Sequence, residues 1–136
     1  MPLAADLAAD ARLAAATGRP LMLVFTREQC GYCALLKRAV IVPMIISGEY
    51  EDRVIIRELV IDTGSDLLDF GGDQVSPFAV ADRYEAFFAP VVLMVGPEGE
   101  ELHERLIGIS NEELYLFYLD QAIERATETL RLSMSD

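Results

Sequence analysis

The chain has no tryptophan, one histidine, two cysteines and only 11 basic residues in 136. Against those 11 stand 23 acidic residues, so the net charge is -12, a sign that repels phosphate backbones and anionic lipid surfaces. Nucleic acid is excluded as a partner on that ground. Long apolar runs are missing too. The longest uncharged apolar stretch, residues 86–96, contains a proline and falls well short of the ~20 residues that cross a bilayer, so no membrane span is expected. Two cysteines are too few for the disulfide framework of a small secreted scaffold. A lone histidine, His103, cannot complete the set of about four ligands that zinc requires. No metal and no bound organic cofactor is expected. The start does not read as a secretory signal, because Asp6 and Asp10 interrupt its apolar residues and no basic segment precedes them. A mature product beginning at an added Met1 would look the same.

What remains is a globular balance of 52% apolar and 25% charged residues, the size of a single domain spanning 1–136. Leu3, Leu7, Ala11 and Ala14 recur at helical spacing, and Gly18 and Pro20 mark where that helix stops. Residues 21–25 form a continuous apolar run, the pattern of a strand buried on both faces. From Cys33 the positions Leu35, Leu36, Ala39, Val40 and Ile41 predict a helix that Pro43 kinks or ends. Residues 54–61 read as a second strand and 63–76 as a loop or small insertion. Ser76 and Pro77 look like an N-cap and first-turn proline for a helix over 78–88. A hairpin follows, with strands over 91–95 and 100–106 joined by the turn Gly96-Pro97-Glu98-Gly99. Ser110 and Glu113 form a capping-box pattern for a last helix, packing Leu114, Phe117, Tyr118 and Ile123 on the sheet. The order predicts an α/β sandwich with a mixed sheet.

Cys30 and Cys33 carry the chemistry. Cys30 falls where a buried strand gives way to a helix, and the free amide hydrogens and dipole of a helix start favour an anion there. A cysteine so placed in a C-x-x-C pair commonly has its pKa lowered below ~8.5, which makes it a nucleophile near neutral pH. Cys30 is therefore the expected attacking thiol. Cys33, one turn on and more buried, is the expected resolving thiol, with Gly31 and Tyr32 tuning the couple. Haem attachment is excluded because Ala34, not histidine, follows Cys33. A purely structural disulfide would close too short a loop to stabilise the fold much.

The segment Phe25-Thr-Arg-Glu-Gln-Cys30-Gly-Tyr-Cys33, the apolar strand before it and Ala89-Pro90 before another apolar strand resemble the thioredoxin superfamily over nearly the whole chain. Gly-Tyr between the cysteines is similar to the catalytic domains of periplasmic disulfide isomerases of the DsbC type. The remainder resembles small exported thioredoxin-related proteins of the SoxW-like group. The resemblance implies a thioredoxin fold, a three-layer α/β/α sandwich with a mixed central sheet, and dithiol-disulfide exchange on protein substrates. It also implies a cis peptide at Ala89-Pro90 facing the cysteines, beside a strand edge that binds extended substrate. Gly108 matches a family glycine that keeps this groove open, and reads equally as a turn residue. An upstream dithiol donor, DsbD-like or thioredoxin-reductase-like, a periplasmic location with the cytoplasm as the alternative, and a monomer complete the expectation.

Three departures stand against the family pattern. Gln29 replaces the tryptophan that thioredoxins place before the first cysteine. Val24 takes the strand position of the aspartate that assists the resolving thiol. Glu58 on the neighbouring strand would be a substitute proton acceptor if it pointed inward, but it reads more readily as a solvated partner of Arg57 or Arg53. No separate dimerisation domain of the DsbC type fits in 136 residues, so reduction is expected over isomerisation. Two other readings stay open: a binding or chaperone module with a structural disulfide, and a glutathione-dependent, glutaredoxin-like enzyme.

Overall fold

The computed structural model of the chain describes residues 1–135. Its elements are α1 (Leu7–Thr17), β1 (Leu21–Thr26), α2 (Gly31–Leu36), a π-helical turn (Lys37–Ile41), α3 (Val42–Ser47) and β2 (Ile55–Val60). They are followed by β3 (Leu67–Leu68), β4 (Gln74–Val75), α4 (Pro77–Arg83), β5 (Val91–Val95), β6 (Leu106–Ile107) and α5 (Glu112–Met134). The main sheet runs β2-β1-β5-β6, with β1 parallel to β2 and antiparallel to β5. It is a mixed sheet with β1 inside it.

All six residues of β1 are buried, and alternation divides them between two cores. Met22 and Val24 pack with Leu36, Val40, Leu119 and Ile123 under α2, α3 and α5. Leu21, Leu23 and Phe25 pack with Leu7, Ala14, Val80 and Ala81 under α1 and α4. The result is the α/β/α sandwich. Each such side chain contributes about 1.5–3 kcal/mol on burial, and β1 supplies them to both cores. Asp10 on α1 receives two hydrogen bonds from Arg57 on β2, each 3.0 Å, and fastens that helix to the sheet.

Several expectations are corrected. Leu3 is not helical: it pairs in parallel with Glu58, extending the sheet beyond β2, and α1 begins only after the Asp6 cap. The helix from Cys33 continues to Ser47. The π turn, in which the Val42 amide donates to the Lys37 carbonyl five residues back, absorbs the missing donor of Pro43. Residues 63–76 hold the small β3–β4 hairpin. The helix after Ser76 ends at Arg83, because Glu85 adopts a left-handed φ of 55°. Of the strand expected over 100–106, Glu101 bridges to Val95, the Leu102 amide donates to the Met94 carbonyl, and Leu106 of β6 pairs with Val92. Between them the chain leaves the ladder, closed by an Arg105–Glu101 ion pair.

The last helix starts one residue later than the Ser110 pattern suggests. Asn111 is its N-cap, accepting the Leu114 amide at 3.1 Å. Its packed face is Tyr115, Leu119, Ala122, Ile123, Ala126 and Leu130, whereas Leu114, Phe117 and Tyr118 are exposed. Of the four residues expected to pack, Ile123 alone does. Asn111→Ala should cost about 1 kcal/mol in urea unfolding, the usual worth of a cap, while Ser110→Ala should leave the midpoint nearly unchanged. Equal losses would return the cap to Ser110.

Candidate active site

β1 ends at Thr26, and residues 27–29 carry the chain to α2. This turn is held by the end of β2: the Glu28 amide donates to Asp62 at 3.1 Å, and the Thr63 hydroxyl donates to Glu28 at 3.2 Å. Gln29 has a φ of 53°, a left-handed conformation that costs a non-glycine residue on the order of 1 kcal/mol. The turn delivers Cys30 as the N-cap of α2, with extended backbone and its Sγ accepting the Cys33 amide at 3.2 Å. Cys30 is partly exposed and Cys33 is buried. The two form a disulfide. Gly31 and Tyr32, the first residues of α2, both lie exposed at the surface.

Residues distant in sequence meet at this end of the sheet. The Ala89-Pro90 peptide is cis, and the Ala89 carbonyl oxygen lies 3.9 Å from Cys30 Sγ. Pro90 is buried at the start of β5, where its carbonyl accepts the Gly108 amide at 2.8 Å. Gly108 has a φ of 71°, which favours glycine, and a Cβ there would meet only open space. Both readings of that residue, turn and open groove, fit its placement. The loop before Pro90 is anchored from behind by Tyr84, whose hydroxyl donates to the Gly99 carbonyl at 2.5 Å. Burial pushes the Tyr84 phenol up to about 12, so it stays a donor across the neutral range.

Glu58 overturns the expectation of a solvated side chain. It is 4% exposed, on the sheet face covered by α2, and its carboxylate accepts the Thr26 hydroxyl at 2.7 Å. Its counter-ion is Lys37, 2.5 Å away, rather than Arg57 or Arg53, which pair with Asp10 and Asp120. Lys37 and Thr26 are the residues that sequence reasoning missed. The available signal was spacing, since Lys37 is four positions after Cys33 and so one helical turn below it. Val24, beside Glu58 in strand register, is fully buried among apolar groups. Glu58 is thus a buried carboxylate supplied by β2, with its cation from the helix that carries Cys33.

Among the described residues, no group of three His, Cys, Asp or Glu side chains is placed to hold a metal ion, and no helix is long and apolar enough to cross a membrane. The family model for the thioredoxin-like domain matches residues 7–123. The chain belongs to that family. This thioredoxin-like domain is 27% identical over 115 residues to the thiol:disulfide interchange protein DsbD of Ralstonia nicotianae. The match covers 85% of the chain and spans 17% of that relative's length. Fasciola hepatica thioredoxin superposes with a TM-score of 0.59 at 18% identity, over 93% of this chain and 99% of that one. The oxidised form of mitochondrial thioredoxin 3 from Saccharomyces cerevisiae gives 0.58 at 18% identity, over 91% and 93%. These structures share the thioredoxin fold with the chain.

Removing Lys37 alone would strand a buried carboxylate. Lys37→Met should cost on the order of 2 kcal/mol in denaturant unfolding, below the ~3–5 of a fully buried pair because the ammonium is partly exposed. Lys37→Met with Glu58→Leu should recover most of that loss. Additive losses in the double variant would show that the two groups do not act as a pair.

Proposed function

We propose that the protein is a thiol-disulfide oxidoreductase that reduces protein disulfides. One observation carries the reading: a partly exposed Cys30 caps a helix at the end of the central strand, beside a buried Cys33 and the cis Ala89-Pro90 peptide. In the reduced protein the Cys30 thiolate attacks one sulfur of a substrate disulfide. That bond breaks, a mixed disulfide forms at Cys30, and the departing substrate thiolate takes up a proton. Cys33 then loses its proton and attacks Cys30 Sγ, closing the Cys30–Cys33 disulfide and releasing the second substrate thiol. Two electrons pass from the dithiol to the substrate. No metal or organic cofactor enters.

The local electrostatics favour the reducing direction. Strong oxidants hold their nucleophile as a much-stabilised thiolate, which makes the reduced form the stable one. Here the hydrogen bonds given to Cys30 Sγ, among the described residues, come to one amide, and a carbonyl oxygen faces it at 3.9 Å. That is modest support for the anion. Gly31 and Tyr32 tune the couple, and the Glu58 carboxylate, held by Lys37 one helical turn beyond Cys33, takes the role of its proton acceptor. Ala89, Pro90 and Gly108 border the groove for an extended substrate segment.

Electrons return from a second dithiol, in a membrane-bound DsbD-like or thioredoxin-reductase-like partner. The likeness to a thiol:disulfide interchange protein supports the first of these, and with it the bacterial periplasm. The thiols and the groove come from one chain, so a monomer suffices.

Cys33→Ser should accumulate mixed disulfides through Cys30 on a protein substrate, and Cys30→Ser should trap none; both single variants should lose insulin reduction. A wild type that leaves insulin oxidised, with no trapping by either variant, overturns the reading. Partner binding that survives replacement of both cysteines by serine would favour the chaperone alternative instead. Turnover that depends on glutathione would favour the glutaredoxin-like one.

A further inference from the structure

The main sheet ends at β2 on one side, and the outward hydrogen-bonding groups of that strand belong to its even-numbered residues. The Ile55 and Ile61 amides turn inward, to the carbonyls of Pro20 and Thr26. Glu58 turns outward: its amide donates to the Pro2 carbonyl and its carbonyl accepts the Ala4 amide, each at 2.8 Å. Toward the start of β2 this ladder stops. In the parallel register of Leu3 with Glu58, the next outward carbonyl, that of Ile56, takes an amide from residue 2, and proline has none to give. The Arg57 guanidinium caps that carbonyl instead, at 2.8 Å. The Ile56 amide on the same edge finds no partner among the described residues. At Ile56 the edge thus offers a donor and no acceptor.

A cavity of about 440 Å³ opens against this stretch, walled by Pro2, Leu13, Ile45 and Val54 and bordered by Arg19, Arg57 and Glu51. Apolar walls with a few polar groups, at this size, are the make-up of a small-molecule site. The polar groups differ in what they have left to give. Arg57 is spent, on Asp10 through two hydrogen bonds and on the Ile56 carbonyl. Arg19 donates to the Thr17 hydroxyl at 3.0 Å and to the Glu51 carbonyl at 2.7 Å, and no carboxylate among the described residues pairs with it. The carbonyls of Ile56 and Glu51 are therefore both taken, while the Ile56 amide and the Arg19 charge are not. An added strand needs acceptors as well as donors from the edge it joins. A carboxylate brings acceptors alone, which is what these two donors lack.

We infer that this recess binds a small organic monocarboxylate with an apolar tail, its carboxylate on Arg19 and the Ile56 amide. The tail covers Leu13 and Ile45, which are 41% and 40% exposed, and rests on Val54. Glu51, exposed at the rim, opposes the carboxylate weakly, as solvated charges do. The recess lies at the Leu21–Ile55 end of the β1–β2 pair, opposite the Thr26–Val60 end from which the chain runs on to Cys30. It is a site apart from the dithiol, and its occupancy does not rest on the exchange reading.

The test titrates the whole chain with octanoate and with octanol, with amide NMR as readout. Octanoate should shift the amides of Leu13, Ile45, Val54 and above all Ile56, and should bind about tenfold more tightly than octanol. Arg19→Gln should weaken octanoate about tenfold and leave octanol as it was, Arg19→Lys should retain most of the affinity, and Glu51→Gln should tighten octanoate about twofold. Arg131→Gln, near the far end of α5 and outside this recess, should change nothing. No shift with millimolar octanoate, shifts elsewhere, equal binding of octanol, or an Arg19→Gln protein that binds octanoate as before would each overturn the inference. So would a short apolar peptide that binds more tightly than octanoate through a free C-terminus and loses that affinity on amidation, which would give the recess to a protein tail. The Cys30→Ser/Cys33→Ser variant should bind octanoate like the wild type, so failure of the recess and failure of the oxidoreductase reading are seen separately.

Discussion

The exit of β1 into α2 is the constraint on which the rest of the site depends. A strand buried on both faces must end where the sheet ends, and a helix that starts there presents unpaired amides at its first turn. Cys30 stands at that point as the N-cap, its sulfur taking the hydrogen bond that serine or aspartate usually supplies. Because the same helix then buries Cys33 against the core, one backbone feature separates an accessible sulfur from a shielded one. The antiparallel neighbour β5 brings its first residues to the same end of the sheet, which sets Ala89 beside Cys30 across 59 positions of sequence.

Beneath this junction lies a polar arrangement in an otherwise apolar core. Thr26, the last residue of β1, and Lys37, one turn beyond Cys33, converge on the Glu58 carboxylate. A buried ion pair adds little net stability compared with apolar residues of the same shape, yet losing one partner is costly. It therefore ties the register of the active-site helix to the sheet. That is a structural reason for a buried charge here. On the opposite face, Arg57 and Asp10 make a corresponding tie to α1, so adjacent residues of β2 anchor the two layers.

The parts of this structure that could be read from sequence are those where one physical effect dominates. Leu21 to Phe25 has no polar residue to place, so burial on both faces follows directly. Cys30 and Cys33 follow from spacing at a strand-helix boundary, and the thioredoxin fold from their combination with Ala89-Pro90. Reading failed where several registers compete. Residues 114–119 are six consecutive apolar or aromatic residues, so periodicity there cannot choose a face; the choice comes from Asn111, whose cap sets the phase, and from Tyr115 and Leu119 finding the core. Glu58 was misread because strand alternation says which residues share a face, but not that Lys37 would arrive above that face from another element. The end of α4 and the gap before β6 depend on the approach to Pro90 and on the Arg105–Glu101 closure, neither of which leaves a pattern along the chain.

The reduction potential of the Cys30–Cys33 couple, measured against glutathione or a thioredoxin of known potential, tests the central claim most directly. A nucleophile whose sulfur accepts one amide among the described residues should give a couple toward the reducing end of exchange proteins, roughly -200 to -270 mV. A potential below about -300 mV, where structural disulfides lie, would contradict disulfide exchange, and one near -120 mV would reverse its direction.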